Sequence, residues 1–202
     1  VAEMVIVWDK GFDNSIVVYH YGAASDAATD YLILNQTDGA NDSVLMWNDT
    51  APTSSVFSVG TGNNTNGNTR PKSFLAFRSV PGVCKVGSYV GNGSATAPPY
   101  VSVGFKPSWV MIKNAAAAKD WVIVDTARTP INTAEKFLFP NLNIAEAARG
   151  TASGSDYDID VLADGFLPYT ADSAINGNGN TFVYLAMADI GGNGTLPPVY
   201  GR

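Results

Sequence analysis

The apolar positions of the chain fall in short runs rich in β-branched and aromatic residues. Met4-Val5-Ile6-Val7-Trp8, Ser15-Ile16-Val17-Val18-Tyr19, Tyr31-Leu32-Ile33-Leu34, Val56-Phe57-Ser58-Val59 and Ser73-Phe74-Leu75-Ala76-Phe77 occupy the first part. Val86-Gly87-Ser88-Tyr89-Val90, Tyr100-Val101-Ser102-Val103, Trp109-Val110-Met111-Ile112, Trp121-Val122-Ile123-Val124 and Thr181-Phe182-Val183-Tyr184-Leu185-Ala186 occupy the second. Between them stand turn-formers such as Asp38-Gly39, Asn66-Gly67, Gly91-Asn92-Gly93, Asp164-Gly165 and Asn176-Gly177-Asn178-Gly179. Short β-type runs punctuated by Gly and Asn predict an all-β sandwich or barrel. Only Ala115–Ala118 and Asn143–Ala148 look helix-permissive, and the first is too short to nucleate alone.

The pattern repeats. Met4-Val5-Ile6-Val7 is echoed by Trp109-Val110-Met111-Ile112 at an offset of 105, and Ser15-Ile16-Val17-Val18 by Trp121-Val122-Ile123-Val124 at 106. Tyr31-Leu32-Ile33-Leu34-Asn35 matches Phe137-Leu138-Phe139-Pro140-Asn141 at 106, and Phe57 matches Phe166 at 109. Asn66-Gly67-Asn68 and Phe74-Leu75-Ala76-Phe77 match Asn176-Gly177-Asn178 and Tyr184-Leu185-Ala186-Met187 at 110. A slowly drifting offset is expected of diverged copies whose loops take small insertions. The period is too long for a solenoid and predicts two tandem antiparallel β-sandwich modules of the jelly-roll or lectin-like kind. Their expected bounds are residues 1–80 and 81–190, with an extended tail over 191–202. The stretch Val83–Phe105 opens the second copy, and its counterpart would fall before Val1. With no initiating Met, the chain reads as a fragment cut inside module one. Module one is then expected to lack two strands, leaving an edge near Met4 for a neighbouring chain to cover.

Composition narrows the chemistry. Charged residues are 15% of the chain, against about 25% in an average soluble domain, so surface polarity comes from Asn, Ser, Thr and Gly. A formal charge of −6 and a pI near 4.5 argue against nucleic acid, whose affinity comes from basic side chains. No apolar run reaches the roughly 18 residues of a membrane span, so no insertion is expected. One cysteine, Cys84, excludes an internal disulfide framework, and one histidine, His20, excludes multi-His metal sites.

Each candidate site has an ordinary alternative. Asp156, Asp158 and Asp160 share one face if extended and could ligate Ca²⁺, but Val161 and Leu167 stand where a calcium loop needs Gly and Glu. A solvated acidic face is the ordinary reading, and otherwise no cofactor is expected. His20 with Ser25 and Asp26 lacks a nucleophile-elbow sequence, and its counterpart at an offset of 106 is Thr126. Glu135 with Asp156 carries no glycosidase signature, and the chain reads as non-enzymatic. Trp47 is the best exposed tryptophan candidate for stacking on a sugar ring, with core packing its alternative. Asn63, Asn64 and Asn66, and in the second copy Asn176 and Asn178, could offer amides to a ligand or serve as turn residues.

Four segments carry a family resemblance. They are Trp47–Gly60 closed by Phe74-Leu75-Ala76-Phe77, Pro81–Gly93, Asp120–Arg128, and Ile159–Phe166. Together they resemble the tandem repeat modules near the C-termini of tailed-bacteriophage virion proteins, over nearly the whole chain. The resemblance implies a lectin-like β-sandwich on a tail fibre or other virion appendage, attaching to a bacterial surface glycan. It also implies a homo-oligomer, a trimer by family analogy, in contact with other virion proteins. A purely structural or capsid-decorating module and a free carbohydrate-binding module are the alternatives. In this chain Ser15 stands against Trp121 of the second copy.

Overall fold

In a computed structural model, residues 1–11, 14–148 and 157–188 are described. The tail 191–202 and Asp156 lie outside them. The structure is all-β, 37% strand and 4% helix, in several antiparallel sheets.

The first repeat supplies β1 (Met4–Asp9), β2 (Val17–His20), β3 (Asp30–Ile33), β4 (Asn41–Asp42), single-turn helices α1 (Val44–Trp47) and α2 (Asn63–Asn66), and β5 (Lys72–Phe77). They form a five-stranded sheet ordered β4-β3-β2-β1-β5. The second supplies β6 (Cys84–Val90), β7 (Val101–Ser102), β8 (Pro107–Asn114), β9 (Val122–Asp125), β10 (Lys136–Phe137), β11 (Ala147–Ala148), β12 (Ile159–Val161), β13 (Gly165–Pro168) and β14 (Thr181–Ala188). Their sheets are ordered β6-β14-β8-β9, β12-β13-β7 and β10-β11.

Why the central strands read as unbroken apolar runs follows from their two buried faces. On β1, Met4 and Ile6 enter a core shared with Met111, Trp121, Val183 and Leu185, while Val5 and Val7 enter a second core with Tyr19, Met46 and Trp47. On β14, Val183 and Leu185 enter the shared core, while Phe182, Tyr184 and Ala186 enter a third with Ile112, Phe137 and Phe166. The shared core draws on both repeats. Polar ties join the same two parts, among them Trp121 Nε1 to the Ile33 carbonyl at 2.8 Å, Lys113 Nζ to the Thr37 carbonyl at 2.8 Å, and His20 Nε2 to the Tyr184 carbonyl at 3.3 Å.

The strand registers carry the repeat. Met4 opposes Phe77 as Trp109 opposes Met187, and Val7 opposes Val17 as Ile112 opposes Val122. Val18 opposes Leu32 as Ile123 opposes Leu138. These pairings correct one detail of the sequence alignment: β2 and β9 align at 105, not 106. Trp121 therefore corresponds to Ile16 and not to Ser15, and His20 to Asp125 and not to Thr126. The side chains agree, since the Ile16 N–H donates to Asn35 Oδ1 at 2.9 Å and the Trp121 N–H to Asn141 Oδ1 at 3.0 Å.

Neither helix-permissive segment is helical. The helical turns fall where side chains close them: Ser43 caps α1 through the Leu45 N–H, and Asn48 ends it in the left-handed region at φ 54°. The open edge is also displaced from expectation. The Met4 strand is central, and the first repeat ends on β5.

Candidate functional site

β5 is an apolar strand left uncovered. Its counterpart β14 is paired on both sides, by β8 and by β6 over Cys84–Val90, whereas β5 pairs only with β1 among the described residues. Phe74 is 56% exposed and Leu75 49%, while their equivalents Tyr184 and Leu185 are buried. The backbone carbonyls of Phe77 and Pro71 accept from Glu3 and Lys10 on the β1 side. By strand alternation the N–H and C=O groups of Phe74 and Ala76 point the other way, to the open edge.

On the Phe74 side of β5 lies a groove. One part, about 420 Å³, runs between Phe74, Ala76 and the loop Thr53–Phe57; a second, about 320 Å³, continues from Phe74 and Phe57 to Asn66 and Lys72. The far wall is a built loop. Thr53 Oγ1 accepts from the N–H groups of Ser55 and Val56, and the Thr53 N–H donates to the Val56 carbonyl at 2.8 Å. Phe57 meets Phe74 edge-on at 5.0 Å between centroids, leaving Val56 exposed above.

At the end of the groove a charged cluster ties β1 to β5. The buried Asp9 carboxylate accepts from Lys72 Nζ and Asn14 Nδ2, with Arg70 at 3.6 Å. Burial alone would raise the Asp9 pKa, but the Lys72 and Asn14 hydrogen bonds and the Lys72 and Arg70 charges outweigh it and hold the acid below its ordinary value. Lys72 Nζ also donates to the Asn63 carbonyl, which ties α2 to the strand.

The residues singled out in the sequence are placed separately. Trp47 is buried beneath the first sheet with its ring edge-on to Tyr19 at 5.8 Å, which is the core packing weighed against stacking on a sugar ring. Met46 and Trp47 form the inward side of α1, so the ring offers no face to a ligand. Asn176 is fully buried and spends its amide inside the fold. It donates to the carbonyls of Thr170 at 2.6 Å and Ser94 at 3.1 Å, and accepts from the Asn92 N–H at 2.9 Å. Its counterpart Asn66 makes the matching bond, Nδ2 to the Gly60 carbonyl at 3.1 Å, since Gly60 and Thr170 also lie 110 apart. These two asparagines close equivalent turns. Asn63 and Asn178 are exposed and Asn64 is half-buried, the first two in opposite repeats.

Asp158 is buried and Asp160 half-buried, flanking Ile159 on β12, and Asp156 lies outside the described residues. Among the described residues no three His, Cys, Asp or Glu side chains gather at metal-binding distance. His20 is buried, and both ring nitrogens meet backbone: the Gly22 N–H donates to Nδ1 at 3.1 Å and Nε2 faces the Tyr184 carbonyl. Burial, against weaker opposing effects from that carbonyl and Glu3, lowers its pKa to about 4, so the ring is neutral at physiological pH. Neither nitrogen is left to serve Ser25 or Asp26.

The groove is what sequence reasoning missed. Its signal was present in the repeat, because the second copy opens with a strand between Val83 and Phe105 whose counterpart would fall before Val1.

A family model described as a domain of unknown function, DUF7483, matches residues 1–190. No curated protein and no solved structure matches the chain.

Proposed function

We propose that this chain, which belongs to the DUF7483 family, is a non-enzymatic assembly module of a bacteriophage virion appendage, built as two tandem β-sandwich repeats. The virion setting rests on the sequence resemblance, and so do the homo-oligomeric state and the other virion proteins as partners. The assembly role rests on one observation: among the described residues β5 pairs on one side only and leaves Phe74 and Leu75 exposed, where the equivalent β14 is covered. Natural sheets blunt exposed apolar edges, so this one suits a further strand. The architectural reading moves ahead of glycan attachment because Trp47, Asn66 and Asn176 are used within the fold.

Host-surface attachment is the second reading. It is favoured by the Phe57 and Phe74 rings beside Thr53, Ser54 and Ser55 in one groove, a mixture of aromatic faces and hydroxyls suited to a sugar. Labelled protein applied to a panel of bacterial cells separates the two. No saturable binding is expected for an assembly module. Saturable binding that soluble surface polysaccharide removes would replace assembly with attachment.

A further inference from the structure

Asp9 on β1 stands opposite Lys72 on β5, and one of its carboxylate oxygens accepts from Lys72 Nζ while the other accepts from Asn14 Nδ2. A single carboxylate thus sets an amine and a side-chain amide side by side. The Asp9 side chain is fully buried and that of Lys72 only 15% exposed, so little water competes for either. Both partners are also held from a second direction. Lys72 Nζ donates to the Asn63 carbonyl, and the Asn14 carbonyl accepts from Asn35 Nδ2 at 3.2 Å. The module fold does not require these residues: at offsets of 105 and 110 the second repeat has Asn114 for Asp9 and Phe182 for Lys72, with Phe182 packed in an apolar core. A buried carboxylate touching both an amine and an amide has the parts of an amide exchange, in which the carboxylate moves the protons.

We propose that Lys72 and Asn14 become joined by an isopeptide bond within the folded chain, with Asp9 as the proton carrier. Despite its burial, Asp9 is kept ionised by the bonds from Lys72 and Asn14 and by the Lys72 and Arg70 charges, so it can take a proton from the Lys72 ammonium. The neutral Nζ attacks Asn14 Cγ, the Nζ–Cγ bond forms and the Cγ–Nδ2 bond breaks. Nζ keeps one of its three protons; Asp9 relays the other two to the departing nitrogen, which leaves as ammonium. Nothing is oxidised or reduced and no co-reactant enters. Amide exchange is slow in free solution, and fixing the amine against the amide is what gives it a useful rate. The bond would tie the β1–β2 connection to β5, whether the chain serves assembly or attachment.

Met46 lies between the two residues in sequence, so cyanogen bromide parts Val5–Met46 from Trp47–Met111 unless the new bond holds them together. The whole folded chain, incubated at neutral pH and then cleaved and separated under denaturing conditions, should give these fragments as one species. Its intact mass should fall by one ammonia, about 17 Da. Lys72→Arg keeps the charge beside Asp9 and should give separate fragments, as should Asn14→Leu and the unaltered chain incubated in urea. Asp9→Asn should slow joining by about 100-fold or more. Separate fragments from the folded, unaltered chain would overturn the proposal. A join that loses water instead of ammonia would also overturn it, by placing the bond on Asp9, and so would joining at an unchanged rate in Asp9→Asn. If Asp9→Asn fails to fold, the fragments of the unaltered chain and of Lys72→Arg still decide the matter.

Discussion

The indole N–H of Trp121 donates to the carbonyl of Ile33 at 2.8 Å, with the ring itself buried in the core shared by both repeats. Trp121 belongs to the second copy and Ile33 to the first, so a single side chain both fills the core and satisfies a backbone group across the repeat boundary. Trp121→Phe keeps most of the apolar area and forfeits the bond. A loss of about 1–3 kcal/mol is expected by denaturant unfolding, the usual cost of a buried hydrogen bond with its partner left behind. A cost below a few tenths would mean that the bond contributes nothing.

His20 makes stability fall in mild acid. Its folded pKa, about 4, lies below the ordinary 6.5, so the unfolded chain binds the proton first. The contribution is complete above pH 6.5 and is lost as pH falls from 6.5 towards 4, by on the order of 3 kcal/mol. Melting temperature against pH should show this slope, and His20→Gln should flatten it. An unchanged slope in the variant would assign the acid sensitivity to carboxylates such as Asp9.

Lys113 acts in the alkaline range. Its ammonium is fully buried and donates to the carbonyls of Thr37 and Lys119 at 2.8 and 2.7 Å, and more weakly to that of Ala117 at 3.4 Å. Burial lowers its pKa to about 8, while Asp120 and Asp38 act in the other direction. Between pH 8 and the ordinary 10.5 the unfolded chain holds more protons, so this group makes stability rise with pH. Urea midpoints from pH 8 to 10 should rise in the natural chain and not in Lys113→Met. The variant should also be less stable at pH 7 by about 1–3 kcal/mol, since the Lys119 carbonyl loses its donor.

Asn176 and Asn66 hold equivalent turns with unequal burial. Asn176→Ala strands the buried carbonyl of Thr170 and the Asn92 N–H, and a cost of about 2–3 kcal/mol is expected. Asn66→Ala, at an exposed position, should cost about 1 kcal/mol or less. The order of the two midpoints is the check, and equal costs would contradict the equivalence in role with difference in burial.

Trp47 tests burial against recognition. Its Nε1 is buried with no hydrogen-bond partner among the described residues, so Trp47→Phe removes a polar burden and should change stability by less than about 1.5 kcal/mol. Trp47→Ala should cost about 3–5 kcal/mol through the cavity beside Tyr19. Selective loss of sugar binding in Trp47→Phe at full stability would return the ring to a binding role.

Strand positions were legible because a β-strand reports its environment locally. The runs at Met4, Val17, Trp109, Val122 and Thr181 each became a strand, and their matching offsets reappear as matching registers. The one-residue slip that set Ser15 against Trp121 arose because neighbouring apolar residues look alike, while register is decided by cross-strand bonds such as Asn35 to Ile16. The candidate residues were less legible. Asn176 and Asn178 have the same residue type and similar neighbours, yet one amide is buried and closes a turn while the other stands exposed. Nothing in a tripeptide distinguishes them, because the partner carbonyl is brought in by the fold.

The sequence by itself determined an all-β chain with two copies of one pattern, since alternation, turn residues and repeat offsets are properties of neighbouring positions. Only the tertiary structure decided that Trp47 faces inward, that the repeats share a core, and that the uncovered strand is β5 and not the strand at Met4. Those outcomes depend on which surfaces meet across long separations in the chain. Burial and edge pairing are set by that meeting, and no local run of residues records it.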